Sequence, residues 1–135
     1  MSIMDDMPSI QAAGLSTNYE LIGSGPVVVL LHGWANAWEA WLPIIPFLSD
    51  LYTLVIPDLP GCGRTQTPPT GWSTALHAKW LDALIASLSI KPVGAIGHSY
   101  GGKILLEYCT GKYDYALEKI VLIDITSPLK LLHVD

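Results

Sequence analysis

The hexapeptide Gly97-His98-Ser99-Tyr100-Gly101-Gly102 constrains this chain more than any other segment. It follows the apolar run Val93 to Ile96 and leads into a segment, Gly102 to Tyr108, whose apolar spacing suits a helix. A strand that becomes a helix over so few residues must bend sharply. Side chains two positions either side of Ser99 would collide with the neighbouring strand or helix, so glycine is demanded at 97 and 101. The strained turn lifts the Ser99 hydroxyl clear of the backbone. The helix behind it directs free N–H groups and a positive dipole end at developing negative charge. Ser99 is therefore a candidate nucleophile. A phosphate-binding loop overlaps the same residues, because Gly97, Gly102 and Lys103 match G-x-x-x-x-G-K. Its next position should be Ser or Thr to hold Mg²⁺, and Ile104 removes that ligand.

The remaining chain alternates strand and helix signals. Residues 1–17 lack periodicity and read as a loose leader. Asn18 to Ile22 suits a short strand, followed by the turn Gly23-Ser24-Gly25-Pro26. Val27 to Leu31 is a continuous β-branched and leucine run, as expected of a strand buried on both faces. Trp38 to Leu48 has helical spacing broken by Pro43 and Pro46. Tyr52 to Ile56 reads as the next strand and 59–71 as a loop. Thr74 to Ser89 is the clearest helix: Ser73 can cap it, and Leu76, Trp80, Leu81, Leu84, Ile85 and Leu88 share one face. His77 falls on its polar side by this reading. Gly111 can end the next helix, and Ile120 to Ile123 is the last strand. The expected fold class is α/β, a doubly wound and mostly parallel sheet, with residues 18–135 forming one domain. In such sheets chemistry sits just past the carboxyl ends of the strands.

Composition narrows the partners. The chain has seven Lys and Arg, scattered singly, and a net charge of −5, which argues against nucleic acid. The longest apolar run has five residues, far short of the roughly 20 that span a bilayer, and no signal peptide is visible. Cys62 and Cys109 show neither disulfide nor metal spacing, as expected of reduced thiols in a cytoplasmic protein. No metal or cofactor motif stands out. Only 14% of the residues are charged and five are tryptophan, a composition that favours packing against a second copy.

A tetrahedral oxyanion needs two N–H donors from separate loops. Tyr100 N–H supplies one. Trp34 N–H, on the His32-Gly33-Trp34 loop after the strand at Val27 to Leu31, is placed to supply the other. His32 reads as a structural residue holding that loop by hydrogen bonds.

Together these pieces resemble the α/β-hydrolase superfamily over roughly residues 18–128. The resemblance rests on Tyr19-Glu20 ahead of Gly23-Ser24-Gly25-Pro26, on Val27 to Trp34 with its His-Gly, on Asp58-Leu59-Pro60-Gly61-Cys62-Gly63-Arg64-Thr65, and on Gly97 to Gly102. It implies a serine nucleophile, acyl-enzyme chemistry, no cofactor, and small ester or related acyl substrates. It also implies that Asp58 organises the Gly61–Gly63 loop and that His98 points back into the sheet. Ser99 points away from the dehalogenase and epoxide-hydrolase branches, which place aspartate there.

The family's triad runs nucleophile, acid, histidine, with a lid and two further strands after the one at Ile120 to Ile123. Against that pattern the chain reads as stopping where the lid would begin. Asp124, 25 residues after Ser99, is a candidate acid, or pairs with loop N–H groups instead. His133 is the only histidine after Ser99, a candidate base in its own chain or a partner's, or a mobile tail residue. The expected function is an esterase-like serine hydrolase working as a homodimer, possibly exchanging segments. The alternative is a non-catalytic or weakly active half-domain that keeps the pocket and binds a small apolar ligand.

Overall fold

The computed structural model describes residues 7–125. Val27–Leu31 (β3), Thr53–Pro57 (β4) and Gly94–His98 (β5) form the centre of a sheet flanked by Ser9–Ala12 (β1), Leu15–Gly23 (β2) and Ile120–Ile123 (β6). The strand order is β1-β2-β4-β3-β5-β6. From β4 through β6 the neighbours run parallel, whereas β1 and β2 pair antiparallel with each other and β2 with β4.

The uninterrupted apolar runs follow from cover on both faces. Val29 and Leu31 of β3, with Val55 of β4, pack into one core alongside Thr74–Ser87 (α2) and Tyr100–Thr110 (α3). Val28, Leu30, Leu54 and Ile56 face the other way, onto Trp41 and Ile45. Those two belong to a 3₁₀ turn at Trp38–Trp41 and a short helix at Ile45–Leu48 (α1); Pro43 lies between the two pieces, and Pro46 sits in the first turn of α1, where a missing N–H is tolerated. Ser73 caps α2, its side chain accepting from Leu76 N.

Two readings of the sequence need correction. Residues 9–17 are not a loose leader but most of a hairpin. Ala12 and Leu15 face each other across Ala13 and Gly14, whose φ values of 50° and 79° make a two-residue turn of the kind that matches strand twist. The hairpin is tied to α2: buried Trp80 Nε1 donates to Thr17 Oγ1 at 3.0 Å, and at the surface Ser87 Oγ donates to Gln11 O at 3.0 Å. On α2 the assignments of Leu76 and His77 are reversed. Leu76 is exposed, and His77 is 3% exposed.

No helix among the described residues is long and apolar enough to cross a membrane.

Candidate active site

Ser99 stands at the junction of β5 and α3 with φ 52° and ψ −114°, a left-handed conformation costly for any residue but glycine. Three backbone bonds hold it there. Its N–H donates to Ile123 O at 2.9 Å, and its carbonyl accepts from Gly102 N at 3.0 Å and Lys103 N at 3.3 Å. The glycines are required by close approach. A Cβ on Gly97 would lie 2.6 Å from Gly102 N, and one on Gly101 would lie 2.3 Å from Leu31 O and 2.6 Å from His32 O. The bend therefore presses α3 against the end of β3.

The loop after β3 lies directly over the serine. A Cβ on Gly33 would sit 3.4 Å from Ser99 Cβ. His32 fixes this loop: it is fully buried, Nε2 accepts from Leu59 N at 2.9 Å, and Nδ1 donates to Gly33 O at 2.6 Å. Because Nε2 accepts, the proton resides on Nδ1. Burial pushes its pKa down, outweighing the Gly33 carbonyl and the Asp58 carboxylate that favour the charged ring. His32 joins the loops after β3 and β4.

Asp58 organises the second loop. Its buried carboxylate accepts from Trp38 N at 2.8 Å and Arg64 N at 3.0 Å, while its carbonyl accepts from Thr65 Oγ1 at 2.7 Å. Gly63, at φ 51°, passes so close that a Cβ would meet Asp58 Cγ at 2.4 Å. The carboxylate is committed to these loop donors.

Past the ends of β5 and β6, the register pairs His98 with Ile123, so Asp124 comes alongside Ser99 one step further. Asp124 also has a left-handed backbone, φ 55°, and its side chain is open to solvent. Its Oδ2 lies 4.0 Å from His98 Nε2. His98 is half-exposed rather than turned into the sheet, and its Nδ1 would be 3.1 Å from a Cβ on Gly33. It lies between the β3 loop and Asp124. Among the described residues no histidine hydrogen-bonds Ser99, and His133 lies outside the described residues.

Sequence reasoning missed a row of aromatic side chains beside the serine. Trp34 meets Tyr100 edge-on at 5.3 Å, Tyr100 meets His77 at 5.1 Å, and His77 meets Trp72 at 5.6 Å. Tyr100 Oη lies 2.9 Å from His77 Nδ1, which is also 3.0 Å from Ser73 O. Trp34, Trp72 and His77 border a pocket of about 440 Å³. The signal for His77 was its spacing, four residues before Leu81 and seven before Leu84 on one helical face.

A sharp serine turn on a parallel sheet, overlaid by a histidine-anchored loop, defines a class of fold, and the comparisons agree. The family model described as the alpha/beta hydrolase fold matches residues 26–134, and the chain belongs to that family. It is 34% identical over 111 residues to a soluble epoxide hydrolase from a Corynebacterium species, which covers 82% of this chain and 38% of that protein. It is 29% identical over 117 residues to the 2-hydroxy-6-oxo-2,4-heptadienoate hydrolase of Pseudomonas putida, covering 84% of this chain and 42% of that one. The solved meta-cleavage product hydrolase of Pseudomonas fluorescens superposes with a TM-score of 0.80 at 30% identity, over 87% of this chain and 44% of its own. The chain thus spans less than half the length of these relatives.

Proposed function

We propose that this chain carries the nucleophile of a serine hydrolase that cleaves small carboxylic esters or related acyl substrates through an acyl-enzyme at Ser99. The observation that carries the reading is the Ser99 backbone itself, held left-handed between β5 and α3 with the Gly33 loop against it. Proteins place strain of this kind where a side chain must be presented, not merely packed. Tyr100 opens α3, so its N–H has no partner within the helix. With Trp34 N–H from the facing loop it forms the oxyanion hole of this mechanism. Asp124 serves as the acid and His133 as the base, in the same chain or a second copy. The relatives named epoxide hydrolases do not transfer their chemistry, because those branches place an aspartate at the turn and the residue here is a serine.

Labelling tests the proposal. A fluorophosphonate probe should modify the protein, and Ser99→Ala should abolish both labelling and turnover of a short-chain p-nitrophenyl ester. Turnover that survives in Ser99→Ala sinks the reading. His133→Ala should cut the rate by roughly 10²-fold or more if that ring is the general base. Full labelling with no turnover in the parent would favour the second reading, a half-domain that binds a small apolar ligand in the pocket beside Trp34.

A further inference from the structure

The 440 Å³ pocket bordered by Trp34, Cys62, Pro68, Gly71, Trp72 and His77 lies outside the serine turn, and the mechanism above does not use it. None of its lining residues is an Asp, Glu, Lys or Arg. A charged group entering it would lose water without gaining an ionic partner. Two indoles and several prolines instead suit a flat, neutral, apolar group.

His77 adds one polar requirement. The Ser73 carbonyl can only accept, so the Nδ1 that lies 3.0 Å from it carries the proton. The Tyr100 hydroxyl, which also hydrogen-bonds the Thr74 side chain, shares that proton. Nε2 is left as an unprotonated acceptor with no hydrogen-bond partner among the described residues. Burial lowers the pKa of the ring and so favours this neutral form. Among the described residues, the buried side-chain N or O atom sealed from solvent without a partner is Trp41 Nε1. His77 Nε2 is not among such sealed atoms although the residue is only 3% exposed, and His77 borders the pocket.

We propose that this pocket is an aryl subsite, taking a neutral aromatic ring whose phenol-like hydroxyl donates to His77 Nε2. Trp34 belongs to both regions: it borders the pocket, and its ring meets Tyr100, the neighbour of Ser99. Resting on the serine-hydrolase reading, this narrows the substrate class to esters with a hydroxyaryl group at one end.

Phenol and anisole are the probes, since they share a ring and differ in the donor. Saturation-transfer NMR on the full chain should show phenol binding equally to the parent and to Ser99→Ala. Anisole should bind roughly fivefold more weakly, the worth of one neutral hydrogen bond. A Cβ on Gly71 meets nothing within 4 Å, so Gly71→Leu can fill the pocket without a backbone clash and should lose phenol binding. His77→Phe keeps a ring and should level phenol with anisole. Equal binding of the two probes by the parent, or undiminished phenol binding by Gly71→Leu, overturns the assignment. Failure of the two proposals is distinguishable. Selective phenol binding without Ser99-dependent ester turnover removes the hydrolase and leaves the subsite, whereas turnover without phenol selectivity removes the subsite and leaves the hydrolase.

Discussion

His32 and His77 are both buried, and burial depresses the pKa of each below the ordinary value of 6.5. In the unfolded chain both rings take up protons as pH falls through 6.5, while in the folded protein they stay neutral further down. Their contribution to stability is therefore complete above pH 6.5 and is lost as pH falls toward the folded values. Each ring can cost at most about 1.4 kcal/mol per pH unit across that window. Urea midpoints should drop between pH 7.5 and pH 5.5, and His77→Phe should shrink the drop. An unchanged midpoint in the parent would contradict the burial of both rings. At this scale the site was partly legible. Ser99 and its glycines are a local pattern, because a bend of that tightness constrains neighbours in sequence. His98 beside Asp124 depends on the register between β5 and β6, which no local pattern records. The polarity of His77 points to the solvent side of α2, whereas its spacing with Leu81 and Leu84 matches the buried face it occupies.

Gly101 is where two elements come closest. Gly101→Ala places a methyl 2.3 Å from the Leu31 carbonyl, so either α3 or the end of β3 must move. We expect a loss of about 1–3 kcal/mol in urea unfolding, with ester turnover falling further than stability as the Gly33 loop shifts. Gly71→Ala, with open space around it, should stay within about 0.5 kcal/mol of the parent. A Gly101→Ala protein as stable as Gly71→Ala would refute the close approach. Among the elements, β3 and β6 are legible in the sequence from end to end, because each is a continuous apolar run. The β1–β2 hairpin is not. Its turn is Ala13-Gly14 rather than the familiar Asn-Gly, and the alternation of Ser9-Ile10-Gln11-Ala12 runs for only four residues.

At the scale of the molecule, β6 lies at one margin of the sheet among the described residues, with Val121 53% and Ile123 41% exposed. Unpaired apolar edges invite pairing with another strand. Expressed as these 135 residues, the chain should form a dimer through β6, measured by light scattering at micromolar concentration. Val121→Lys should return it to single chains. A parent species with the mass of one chain overturns the expectation. The opposite margin raises a practical question of where the chain can be cut. A version trimmed to begin at Asn18 would look harmless on paper, since it leaves Ser99, Gly97 and Gly101, and α1, α2 and α3 in place. It would also remove Ala12, Leu15 and the Thr17 hydroxyl, uncovering one flank of α2 and stranding the Trp80 indole N–H in an apolar core. Insolubility in such a trimmed version would therefore say nothing about the chemistry of Ser99; it would report a missing latch some way from the site.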